Sequence, residues 1–101
     1  MALGFWRNQN INRTCIIAFE HAYHGDTIGT MSAGARGVFN APYEPLLFDV
    51  IRLPFPAKGK EQETLNALRA ATKDGQAAAL IIEPLILGAG GMLTYAPDVL
   101  A

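Results

Sequence analysis

Three strand-length apolar runs, spaced by polar and helix-periodic segments, constrain this chain more than any other feature. They are TCIIAFE (residues 14–20), FDVIRL (48–53) and AAALIIE (77–83). The first and third are continuous rather than alternating, the pattern of a strand covered on both faces. Between the second and third lies KEQETLNALRAATKD (60–74), the clearest helix. Its Leu65, Leu68, Ala71 and Thr72 fall on one face. Glu61 and Glu63 in its first turn and Lys73 in its last complement the helix dipole, and Gly75 follows as a C-terminal cap. Residues 26–34 predict a short helix with Asp26 or Thr27 as its N-cap. Residues 35–47, with glycine, two prolines and no clean period, read as a long ordered loop. The stretch PLILGAGGMLTY (84–95) reads as a glycine-rich loop. Strands alternating with helices predict an α/β fold with a parallel sheet, and 101 residues suit one domain at most.

A parallel sheet presents ligands at the carboxyl ends of its strands. Tyr23, His24, Gly25 and Asp26 follow the first strand, and Glu83 with the GAGG stretch (88–91) follows the third. If the strands are parallel, both groups face one crevice. Tyr23 is either a ring that stacks on a planar ligand or a half-buried tyrosine sealing the strand-to-helix turn. His24 is an acid, a base or a ligand, or a structural hydrogen-bonder. Asp26 is most simply a helix cap, and Gly25 allows a backbone shape or close approach that other residues forbid. Glu83 closes an apolar strand, so its carboxylate needs a partner or water.

Other chemistries find little support. Half of the residues are hydrophobic, 17% are charged and the formal net charge is -1. That balance gives no electrostatic footprint for nucleic acid or an anionic membrane surface. Glu20 and Glu83 interrupt the apolar runs, so none spans a bilayer. MALGFWRNQN has no basic start and no small-residue cleavage site, unlike a secretory signal. The lone Cys15 reads as a small core residue, which fits a reducing cytoplasm. His21 and His24 are three apart, but no further ligands join them to make a zinc site. The GAGG stretch lacks the spacing of a dinucleotide fingerprint and the lysine of a P-loop, and no Ser-His-Asp or Cys-His signature appears. At the ends, residues 1–6 read as an apolar helix without a cap, and APDVLA places Pro97 at a first helical position. Both ends look cut, so we expect a segment of a larger domain.

YHGDTIGTMSAG (23–34), FNAPYEPLLF (39–48), RLPFP (52–56) and IIEPLILGAGGM (81–92) together resemble the class III pyridoxal-phosphate aminotransferases. MALGFW is similar to the tail of the helix that follows that family's Gly-Ser phosphate turn. HGDT, FNAPY-PLLF and GAGGM resemble the branch that serves biotin synthesis. The resemblance implies a segment, residues 1–101, of the mostly parallel sheet in the large domain of a fold-type I transferase. It implies pyridoxal 5'-phosphate as cofactor, with Tyr23 stacked on the pyridine ring, His24 and Gly25 shaping the pocket and Glu83 close to the cofactor. It further implies small-molecule substrates, a cytoplasmic homodimeric parent and ping-pong transfer of an amino group from S-adenosylmethionine to 7-keto-8-aminopelargonate.

The chain also departs from the pattern. Leu87 stands where the family loop usually carries glutamine. The Schiff-base lysine, the aspartate that pairs with the pyridine nitrogen and the Gly-Ser phosphate site are not among these residues. Lys58, Lys60 and Lys73 sit in a loop or on a polar helix face. No catalytic residue is therefore assigned here, and the chain alone is not expected to transaminate. The alternatives are an ω-amino-acid:pyruvate transaminase, an ornithine-type transaminase or a non-catalytic packing fragment. The ornithine type is disfavoured by Ala89, near where its loop carries an acidic residue.

Overall fold

The computed structural model describes residues 1–101. In chain order the elements are α1 (Ala2–Arg7), β1 (Cys15–Phe19), α2 (Ile28–Ala33), β2 (Ile51–Leu53), α3 (Glu61–Thr72), β3 (Ala77–Ile81), β4 (Ile86–Leu87) and β5 (Leu93–Thr94). Short 3-10 turns cover Ala41–Leu46 and Pro97–Val99. β1 lies in the middle of a parallel sheet in the order β2-β1-β3. Ile17 sits opposite Ile51 on one side and Leu80 on the other, and Phe19 sits opposite Leu53. The parallel α/β expectation holds, and the continuous apolar character of TCIIAFE follows from its central place.

The core gathers Ile17, Phe19, Ala22, Leu53, Leu87 and Tyr95. The ring of Tyr95 meets Phe19 and Phe55 edge-on, at centroid distances of 5.8 and 6.0 Å, a favoured aromatic geometry. α3 covers this core with Ala67, Leu68 and Ala71. Its inward stripe differs from the predicted one at one end. Thr72 is exposed and its hydroxyl turns back to the Leu68 carbonyl at 3.0 Å. Thr64 is buried instead, because its hydroxyl donates to the Pro54 carbonyl at 2.8 Å and so loses nothing on leaving water.

Several boundaries also differ from the sequence reading, for local reasons. β2 begins at Ile51 rather than at residue 48. The backbone of Phe48 is taken by side chains: its N–H donates to Ser32 Oγ at 3.2 Å, and its carbonyl accepts from Arg36 Nη2 at 2.8 Å. α2 is capped by Thr27, not Asp26, with the Thr27 N–H donating to Thr30 Oγ1 at 3.1 Å. The loop at 35–47 contains the 3-10 turn Ala41–Leu46. The glycine-rich stretch is a small antiparallel hairpin, with Ile86 opposite Thr94 and Leu87 opposite Leu93. Met92, at φ 56°, helps close its turn, and its N–H donates to the Gly88 carbonyl at 3.0 Å. At the start of the chain, Trp6 Nε1 donates to the Ala78 carbonyl at 2.7 Å and so docks α1 on β3. The Arg13 guanidinium lies 4.4 Å from the centre of the same ring, a cation–π contact.

Candidate functional site

The carboxyl ends of β1 and β3 lie side by side, and the two clusters singled out in the sequence meet there. Beyond Phe19 the chain turns sharply. The Glu20 N–H donates to the Leu53 carbonyl at 2.9 Å, and His21 adopts φ 65°, a left-handed conformation uncommon for a side chain with a Cβ. Ala22 is buried, and Tyr23 then emerges with its ring about half exposed. Glu83, two residues past β3, joins the two sides. Its Oε1 accepts the Tyr23 backbone N–H at 2.9 Å, and its Oε2 accepts the Gly88 N–H at 3.1 Å. Its own carbonyl accepts the Tyr95 hydroxyl at 2.7 Å. The glycine hairpin also lies directly on the first loop, since a Cβ at Gly90 would collide with the His21 carbonyl oxygen.

Between these loops and the 35–40 segment runs an open groove of about 480 Å³, whose lining includes Tyr23, Gly25, Asp26, Phe39, Ala89 and Gly90. Gly25 sits at φ 128°, and a Cβ there would stand 2.9 Å from Thr30 Oγ1. Tyr23 and Gly25 thus line the groove, while His24 and Glu83 do not. The nearby Asp26 carboxylate, with smaller help from burial, raises the Tyr23 phenol above its ordinary range. His24 is half-buried and its Nε2 has no hydrogen-bond partner. Burial pushes its pKa down, the Glu83 carboxylate opposes that, and the Arg52 guanidinium adds to it. Lys58, Lys60 and Lys73 are exposed and none lines the groove.

Two arginines belong to this architecture although the sequence reading passed over them. α2 has no basic residue in its last turn. Its terminal carbonyls are met from outside: Arg36 Nη1 donates to Met31 and Ser32 at 2.8 and 2.9 Å. Arg52 donates to Ala33 and Ser32 at 3.1 and 3.0 Å. Cations here satisfy orphan carbonyls and oppose the helix dipole. An arginine two residues beyond the helical pattern was a usable signal for Arg36. The charge within FDVIRL was the only signal for Arg52.

The sequence profile of the family "Aminotransferase class-III" matches residues 1–101. The chain belongs to the class III aminotransferases. It is 47% identical to the adenosylmethionine-8-amino-7-oxononanoate aminotransferase of Synechococcus elongatus, an alignment covering 99% of this chain and 26% of the relative. The enzyme of the same name from Geobacter sulfurreducens is 36% identical, over 92% of this chain and 24% of the relative. Among solved structures, that of the Methanocaldococcus jannaschii enzyme of this name superposes with a TM-score of 0.82 at 28% identity, covering 98% of this chain and 23% of that one. This class III chain therefore spans about a quarter of the length of the relatives it matches. The superposition also bears out the α/β expectation of part of a fold-type I transferase sheet.

Proposed function

We propose that this chain is the ring-holding segment of the large domain of a pyridoxal 5'-phosphate-dependent aminotransferase. On this reading the whole enzyme is a cytoplasmic homodimer that moves an amino group from S-adenosylmethionine to 7-keto-8-aminopelargonate in biotin biosynthesis. The observation that carries it is the joint at Glu83, which ties the Tyr23 loop to the glycine hairpin at the carboxyl edge of a class III sheet. Kinship with the adenosylmethionine-8-amino-7-oxononanoate aminotransferases supports the choice of substrates.

The residues present fit such a group. Tyr23 offers an aromatic face at the groove, and Gly25 and Gly90 line that groove without side chains, leaving room for a flat ring. Pyridoxal phosphate, when bound, supplies an electron sink for negative charge developing beside the transferred nitrogen. The chain's own contribution is placement. Tyr23 orients a ring by its face. Glu83 fixes the Tyr23 main chain, and with it the height of that face above the sheet. His24 is held toward its neutral form, its unpartnered Nε2 able to accept or donate one hydrogen bond. Leu87, fully buried in the core, brings no polar group to the position where the family carries glutamine. None of the chain's groove-lining residues is a lysine.

The test is a chimera in which these residues replace the matching segment of the Synechococcus elongatus enzyme. We expect it to take up pyridoxal phosphate, read by the absorbance that borohydride fixes to protein, and to accept an amino group from S-adenosylmethionine. Cofactor uptake with transfer only from ω-amino acids or ornithine would move the chain to another branch of the class. A folded chimera that takes up no cofactor would leave the packing-fragment reading in its place.

A further inference from the structure

Phe39 is the most exposed aromatic side chain of the molecule, at 94%, yet it belongs to the lining of the groove beside Tyr23. An apolar ring so placed needs a rigid support, and the segment carrying it is fastened at both ends by one residue. Arg36 Nη1 donates to the Met31 and Ser32 carbonyls at the end of α2. Its Nη2 donates to the Phe48 carbonyl at 2.8 Å, twelve residues on. Its Nε lies 3.4 Å from Glu44 Oε2, midway along the segment. Inside the segment, Asn40 closes a tight turn, with Nδ2 donating to the Ala35 carbonyl at 2.8 Å and Oδ1 accepting the Gly37 N–H at 2.9 Å. A planar guanidinium serves these diverging acceptors at once, and an ammonium does not.

We propose that Arg36 is a positioning residue for substrate recognition, and that Phe39, held out by it at the rim, is a specificity-determining contact for the uncharged body of the amino donor or acceptor. This rests on the reading of the groove as the substrate site. Tyr23 and Phe39 then offer aromatic surface at two points of the groove, one inside and one at the rim. Substrate contact at the rim, remote from the reacting nitrogen, adds binding shared by ground and transition states, so its loss shows in KM rather than kcat.

The experiment is a double-mutant cycle in the chimera described above, with Arg36→Met, Phe39→Ala and the pair. Each single change is expected to raise KM for one of the two substrates by about tenfold, the scale of a lost apolar contact, with little change in kcat. The pair should be no worse than Phe39→Ala alone, because Arg36 acts through that ring. Independently of activity, Arg36→Met should speed chymotrypsin cleavage after Phe39. Glu44→Gln, which leaves the α2 carbonyls untouched, should shift KM in the same direction by less, and it serves where Arg36→Met does not fold. An unchanged KM for Phe39→Ala, or KM effects that multiply in the pair, overturns the proposal while the groove reading stands. Absence of activity with any donor in the unmutated chimera overturns the groove reading and this proposal with it.

Discussion

Glu83 holds Tyr23 by the main chain, not by the ring. The carboxylate accepts the Tyr23 N–H through one oxygen and the Gly88 N–H through the other, at 2.9 and 3.1 Å. The two loops that wall the groove are therefore coupled through a single half-buried side chain. The Tyr23 ring stays free to meet a ligand, because the clamp uses none of it.

Replacing Glu83 by glutamine tests the clamp. The amide presents an NH2 where one carboxylate oxygen stood, so one of the two backbone donors loses its acceptor. Hydrogen bonds to a charged group are worth about 1.5–3 kcal/mol each. Glu83→Gln should cost about that much in urea unfolding, and Glu83→Ala, which abandons both donors, distinctly more. Equal stability of Glu83→Gln and the parent would show that the two amides find other acceptors and that no clamp exists.

The pairing of these loops was legible in outline. Continuous apolar runs gave parallel strands, and parallel strands put the YHGD and GAGG clusters on one edge. The backbone grip was not legible, because which atom of Tyr23 faces Glu83 depends on the register of β1 against β3 and on the left-handed turn at His21. The same limit explains β2. FDVIRL reads as a strand throughout, yet Phe48 gives its backbone to Ser32 and Arg36, side chains more than ten residues away. Thr64 escaped for a related reason: threonine is a poor core residue until a distant carbonyl, here Pro54, accepts its hydroxyl. The hairpin within GAGG was hidden because its strands are two residues long, too short for any periodicity.

Two glycines in the same hairpin should respond unequally to alanine. At Gly90 the added Cβ meets the His21 carbonyl oxygen, a backbone atom that cannot swing aside. Overpacking of this kind costs about 1–3 kcal/mol. At Gly88 nothing stands within 4 Å of the added carbon, and the change should stay within about 0.5 kcal/mol. Thermal unfolding of the two variants side by side checks this. A Gly90→Ala variant as stable as Gly88→Ala would mean that the hairpin does not rest on the first loop.

His24 should give the fold a pH dependence. Burial, the main cause, and Arg52 lower its folded pKa below the ordinary 6.5, against the opposing pull of Glu83. The unfolded chain therefore binds the proton more readily, and stability falls as pH drops below about 6.5 toward the folded pKa. Above that range the imidazole is neutral in both states and contributes no slope. His24→Gln should flatten the stability profile below about pH 6.5 without altering it above. An unchanged profile in denaturation at stepped pH would assign the slope to other groups.

Tyr23 separates two ways of holding a ligand ring. If its face does the work, Tyr23→Phe keeps the binding surface and changes cofactor affinity of the chimera by no more than about twofold, while Tyr23→Ala loses the stacking contact. That contact is worth about 0.5–1.5 kcal/mol beyond buried area, so the alanine variant should bind about tenfold more weakly. The phenol, whose pKa the Asp26 carboxylate raises, is a second candidate. If the hydroxyl with its Asp26 partner supplies the affinity instead, Tyr23→Phe falls as far as Tyr23→Ala, and Asp26→Asn falls with them. Titration of pyridoxal phosphate into the variants distinguishes the cases. The exposed ring, with its main chain fixed by Glu83 and glycines beside it in the groove, leads us to expect the first.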